Sequence, residues 1–266
     1  MNRICFFDTE CNSLDTSEGF IMELAWAVFD LQSKRLLHSK SSLIKWNRGY
    51  LVDPGAKEVT GLTREFCESN GQPANSVFTD FLVGLLDYKV DILAGHNILE
   101  FDLPIMRSNM NRVLFESHSQ IETLLHVDTY HDLPIENPRQ SMALKYLALD
   151  HGHILNSAHE ALADVMASAH VFFKYPLEDV LARARTPLKV FHGYTAYQDD
   201  AARERFYRAK FRWHRINRRF EKKCRAFYLP KLNELVGQDL ICDEDLNAPV
   251  VSDPQVKDNN QLELPF

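Results

Sequence analysis

Nothing in this chain of 266 residues supports a disulfide framework or a cysteine-based zinc site. Its five cysteines, Cys5, Cys11, Cys67, Cys224 and Cys242, are scattered, odd in number and without a Cys-x-x-Cys pair. A reducing compartment follows. No stretch approaches the roughly eighteen uninterrupted apolar residues of a membrane span. The start lacks a basic region followed by a long apolar run, and acids stand already at positions 8 and 10. These absences lead us to expect a soluble, cytoplasmic protein with no membrane contact. Basic residues are also in deficit, 30 against 37 acids, and the net charge of −7 is unevenly spread. Residues 1–175 carry 14 basic and 23 acidic side chains, net −9; residues 176–231 carry 15 and 6, net +9; residues 232–266 carry 1 and 8, net −7. An acidic body, a basic middle and an acidic tail suggest three parts, with boundaries expected at 1–176, 177–236 and 237–266.

What is present is organised around Ile4-Cys5-Phe6-Phe7-Asp8-Thr9-Glu10, an apolar run that ends in two carboxylates. Four consecutive apolar residues read as a strand buried on both faces. Residues i and i+2 of a strand point the same way, so Asp8 and Glu10 present their carboxylates together at its C-terminal end. Like charges held that close repel unless a cation sits between them, and oxygen ligands suit Mg²⁺ or Mn²⁺. Taken alone, the pair reads more plainly as a solvated strand-to-loop turn.

Residues 20–30 and 36–46 complete a three-stranded antiparallel start, and Asp53-Pro54-Gly55 marks a turn. Helical spacing over 77–88, a short buried strand at 91–95, helical spacing over 101–113 and a strand at 121–127 follow. Helices are expected at 141–150 and 157–175. This alternation predicts an α/β domain, a mixed β-sheet flanked by helices, in which sites gather at the carboxyl ends of strands. Ser157-Ala158-His159-Glu160 has the form of a capping box with Ser157 as N-cap. His159 then falls in the first helical turn, roughly 140° around the helix from Asp164.

Asp8-Thr9-Glu10, Asn97 with Phe101-Asp102, and His159-x-Ala161-x-x-Asp164 together resemble the three motifs of the DEDD superfamily of 3′-to-5′ exonucleases, the proofreading (DnaQ-like) group. The resemblance covers about residues 3 to 175, and the histidine of the third motif matches the DEDDh subgroup. It implies a ribonuclease H-like fold for residues 1–176 and two Mg²⁺ (or Mn²⁺) ions held by Asp8, Glu10, Asp102 and Asp164. His159 would take the proton from the attacking water. It also implies that Thr9 and the apolar wedge Leu14 grip the terminal nucleotides, with Thr60, Asn97 and Phe101 as further substrate contacts; core packing is the plainer role for Phe101. Two departures stand out. Cys11-Asn12-Ser13 replaces the family's Thr-Thr-Gly, and Thr60-Gly61-Leu62-Thr63 replaces its frequent His-Gly-Ile-Thr.

From Asp199-Asp200, a helix N-cap, to Pro230 the sequence reads as one long helix or two in succession, the C-terminal helical region of 177–236. Phe206, Trp213, Phe220 and Phe227 recur every seven residues. Arg208, Arg212, Arg215, Arg219 and Lys222 are candidates for a nucleic-acid patch, the alternative being a solvated face. From Gly237 the chain reads as a flexible acidic tail ending in Gln261-Leu262-Glu263-Leu264-Pro265-Phe266, which resembles the peptide that binds the bacterial sliding clamp. Gln261, Leu262, Leu264 and Phe266 would make that contact; an unspecific sticky terminus is the alternative. The sequence therefore points to a metal-dependent exonuclease acting on DNA 3′ ends, single-stranded ends first. An RNA-trimming enzyme of the same fold and a catalytically silent binding subunit are the rivals.

Overall fold

A computed structural model describes residues 2–114, 119–135, 141–155, 160–196 and 198–242. They form two compact units that divide at Pro187/Leu188. The first unit therefore runs past the expected boundary at 176.

In the first unit, β1 (Arg3–Cys11), β2 (Ile21–Asp30) and β3 (Leu36–Lys45) make the expected antiparallel start. Phe7 opposes Trp26 and Asp8 opposes Ala25. Asp53-Pro54 is less a turn than a helix start: Asp53 is the N-cap of α1 (Pro54–Thr60), and proline at the first position has no N–H to leave unpaired. Next come α2 (Arg64–Asn70), β4 (Gln72–Pro73), α3 (Ala74–Asp87), β5 (Ile92–Gly95), α4 (Asp102–Leu114) and α5 (Ser119–Glu122). The apolar run 121–127 is split between α5 and β6 (Leu125–Asp128), so the expected strand starts late. The unit closes with α6 (Leu144–Asp150), α7 (Ala161–Phe172) and α8 (Leu177–Ala184).

Sheet order is β4-β3-β2-β1-β5-β6, with β5 parallel to β1 and β6 parallel to β5. Period-2 alternation on β1 divides the core. Cys5 and Phe7 belong to one apolar cluster with Phe78 and Phe81 of α3 and Leu103 and Met106 of α4. Ile4 and Phe6 belong to the other, with Val165 and Phe172 of α7. Thus the even-numbered residues of β1, Asp8 and Glu10 included, face the α7 side.

Residues 199–230 are not the one long helix, or two in succession, expected from the sequence, and the strands of residues 188–242 make this unit mixed rather than helical. The unit folds as β7 (Leu188–Gly193), α9 (Asp200–Arg208), β8 (Arg212–His214), β9 (Arg219–Arg225), α10 (Leu229–Val236) and β10 (Ile241–Cys242), with sheet order β10-β7-β9-β8. Asp199 does cap α9, accepting from Ala202 N at 2.8 Å. The helix stops after nine residues, and Lys210 adopts a left-handed φ of 64°. Three of the four heptad aromatics meet in a cluster rather than a stripe: Phe206 stacks on Phe220 at 4.6 Å, and Trp213 meets Phe220 edge-on across the β8–β9 pair, while Phe227 is exposed. Beyond Gly237 the fold continues, since Leu240 and Cys242 join this core and β10 pairs with β7.

Candidate metal centre and active site

β1 delivers Asp8 and Glu10, and α7 delivers Asp164 from the same side of the sheet. Carboxylate oxygens of these three residues lie within 4.8 Å of one another. The first turn of α7 starts later than the capping box implied. Glu160 is the N-cap, and its carbonyl accepts both Ala163 N and Asp164 N, which closes the first turn there. Asp164 consequently sits where the helix dipole favours a negative charge. Ser157 and His159 lie outside the described residues.

Asp102 opens α4 and arrives from the other face. It is 4% exposed, and its Oδ1 accepts from Thr9 N at 3.0 Å and from Thr9 Oγ1 at 2.6 Å. Thr9, expected to touch substrate, also aims a carboxylate through both its N–H and its hydroxyl. The sequence reading also missed Glu23, which opposes Glu10 across β1–β2 and accepts from Ser41 Oγ; only the hairpin register could have revealed it.

This crowding has an electrostatic consequence. Burial first, then the charges of Asp102, Asp164, Glu10 and Glu23, push the Asp8 carboxyl well above the usual carboxylate range. Burial, then Asp164, Glu23 and Asp102, push Glu10 up to about 8. Burial raises Asp102 to about 6 against the lowering effect of its Thr9 bonds. An all-oxygen set of converging acids whose ionisation is held back by burial and mutual repulsion fits a hard divalent cation such as Mg²⁺.

Asn97 lies in a tight turn after β5, with a left-handed φ of 62° that asparagine tolerates well. Asp128, at the end of β6 and fully buried, fastens that turn. Its Oδ1 accepts from Asn97 N at 2.8 Å and Tyr130 N at 2.9 Å, and its Oδ2 from Leu99 N at 3.0 Å. Gly95 is required beside it, because a Cβ there would lie 2.6 Å from the Phe7 carbonyl oxygen and 2.4 Å from Ile98 Cγ2. Asp128 ends an apolar strand as Asp8 does, and that shared pattern is the signal by which it could have been found.

The remaining expected residues are more scattered. Leu14 projects from the β1–β2 loop, 87% exposed. Phe101 packs half-buried against the α3–α4 core. Thr60 ends α1, its Oγ1 accepting from Leu62 N. Within the second unit, Arg208 pairs with Glu204, Arg219 pairs with Glu221, and Lys222 donates to the Ala209 carbonyl at 2.7 Å. Arg212 and Arg215 are exposed on the β8–β9 hairpin. Residues 261–266 lie outside the described residues.

A mixed sheet with three converging carboxylates at its rim defines a ribonuclease H-like, DnaQ-like exonuclease fold. The exonuclease family model RNase_T matches residues 5–172, and the chain belongs to that family. Among solved structures, an exonuclease I superposes with a TM-score of 0.58 at 18% identity, covering 73% of this chain and 49% of that one. E. coli exonuclease I in complex with a dT13 oligonucleotide gives 0.55 at 18%, covering 76% and 50%. A moderately thermophilic exonuclease I from Methylocaldum szegediense gives 0.57 at 18%, covering 76% and 50%. The chain spans about half the length of these structures. No curated protein matches it. No helix of the described residues is long and apolar enough to cross a membrane.

Proposed function

We propose that this chain is a metal-dependent 3′-to-5′ exodeoxyribonuclease that shortens DNA from its 3′ ends, single-stranded ends first, in bacterial replication or repair. The observation that carries this reading is the convergence of Asp8, Glu10 and Asp164, with Asp102 aimed by Thr9. Those four carboxylates would hold two Mg²⁺ or Mn²⁺ ions. Bound there, the ions supply Lewis acidity and lower the pKa of water, the chemistry of two-metal phosphodiester hydrolysis. His159, by its place in the third motif, takes the proton from the attacking water; a neutral imidazole near its ordinary pKa of about 6.5 suits that at cellular pH. Leu14 wedges against the terminal bases, and Asn97 and Thr60 are the further substrate contacts that the family resemblance implies. Because no carboxylate of the four is missing, a catalytically silent subunit is disfavoured. The exonuclease I relatives seen with deoxyoligonucleotides favour DNA over RNA.

In the second unit the reading assigns Arg208, Arg212 and Arg215 to phosphate contacts, and it gives Gln261, Leu262, Leu264 and Phe266 to a sliding clamp. The deciding experiment is degradation of end-labelled single-stranded DNA, duplex DNA and RNA with and without Mg²⁺. Loss of 3′ label from single-stranded DNA in Mg²⁺ alone is expected. Faster loss from RNA would move the assignment to RNA trimming, and no hydrolysis of any substrate would refute it.

A further inference from the structure

β1 and β3 both run antiparallel to β2, so they end at one rim of the sheet. The acids stand at the end of β1. Beyond the end of β3 the same rim carries a groove of about 500 Å³, lined by Lys45, Trp46, Asn47, Arg48, Asn75 and Arg112 among others. Three of these are cations, two are amides, and no carboxylate lines the groove among the described residues. Glu18 reaches Arg112 from an exposed loop, at 3.8 Å, and Asp15 of the same loop also acts on it.

The two guanidiniums share one ring: Arg112 Cζ is 4.4 Å and Arg48 Cζ 5.9 Å from the centroid of Phe20. Arg112 is fixed in place, donating to the Gly19 carbonyl at 2.6 Å and to the Ser17 carbonyl at 2.7 Å, with its side chain 14% exposed. Two cations held against one ring repel each other, and an anion between them relieves that repulsion. Guanidinium forks also match phosphate oxygens in geometry. Helix α4 links this groove to the metal centre, since Asp102 starts it and Arg112 lies ten residues on, about 15 Å at the helical rise.

We propose that Lys45, Arg48 and Arg112 form an upstream phosphate subsite, which holds the backbone of a single-stranded polynucleotide a few nucleotides from the 3′ end entering the acidic centre. This inference rests on the exonuclease reading. The subsite adds processive grip and takes no part in bond cleavage, so its contribution depends on substrate length.

The test compares the full chain with the Lys45→Glu/Arg48→Glu variant and separately with Arg112→Lys, which keeps the charge but loses the bonds to the Gly19 and Ser17 carbonyls that hold it in place. Kinetics are measured on a long deoxyoligonucleotide and on a dinucleotide, and anisotropy binding of the long strand is measured in EDTA across a salt series. For the double variant we expect KM on the long strand to rise at least about 10-fold, with no matching rise on the dinucleotide. The logarithmic salt slope should fall by about 0.7 for each lost contact. Arg112→Lys should show a smaller rise of the same kind. An unchanged long-strand KM and salt slope, or equal losses on both substrates, would overturn the subsite. Strand binding without hydrolysis would instead refute the exonuclease reading, and the salt slope would still decide the subsite.

Discussion

Burial and mutual repulsion make the ionised forms of Asp8 and Glu10 costly in the metal-free protein. The folded state therefore holds protons that the unfolded chain releases. A carboxyl raised from 4.5 to about 8 contributes stability that is complete below its unfolded pKa and is lost as pH rises through the folded one. Melting of EDTA-treated protein should accordingly fall in temperature between about pH 5 and pH 8, and less steeply in Glu10→Gln. Mg²⁺ should raise the melting temperature most at the alkaline end, where binding has fewest protons to displace. A metal-free melting temperature that climbed across this window would contradict the electrostatic reading. His159 makes a second test: His159→Ala should lower kcat on the order of 10²- to 10⁴-fold, with the remaining activity rising more steeply with pH as hydroxide replaces the base. An unchanged rate and pH profile would remove His159 from the mechanism.

At the scale of elements, the β8–β9 hairpin is the part of the basic region best placed to meet a polynucleotide. Arg212, Trp213 and Arg215 are exposed along it, and Ile216 at its turn is 88% exposed. Reversing charge at Arg212 and Arg215 together should weaken binding of long DNA and reduce its salt slope by about 0.7 per contact on single strands. Equal binding by the variant across a salt titration would mark the hairpin as a solvated face. Arg219 and Lys222 are poor choices for this test, because their bonds to Glu221 and to the Ala209 carbonyl hold the hairpin itself. The hairpin was not legible in the sequence. Arg, Lys and Glu dominate residues 203–223 and favour helix, while aromatics seven apart read as a helical face; Phe206 and Phe220 instead stack from a helix and a strand, where tertiary packing overrides propensity. By contrast β1, β2 and α3 were legible because their apolar periodicity and their burial agree. Asp8, Glu10, Asp102 and Asp164 were legible through order and spacing. Their neighbour Glu23 was not, since strand register leaves no local pattern.

The whole molecule couples a family-typical exonuclease unit to a small unit, residues 188–242, and an acidic end. Clamp binding by the last six residues would act through effective concentration, not through the active site. Deleting residues 261–266 should therefore leave hydrolysis of free oligonucleotides unchanged and abolish binding to purified bacterial clamp. Absence of heat and of co-elution with the intact chain at tens of micromolar would remove the clamp from the account. In the function proposed, Asp8, Glu10, Asp102 and Asp164 act as one metal-dependent hydrolytic centre. Single-turnover release of mononucleotide from a 3′-labelled single strand, by the wild-type chain and by Asp8→Ala and Asp164→Ala in Mg²⁺, tests it most directly. Release by the wild type should stop in EDTA, and neither variant should release mononucleotide above background, each folded as judged by an intact thermal transition. Near-normal release by either variant, or wild-type release undiminished by EDTA, would contradict this function.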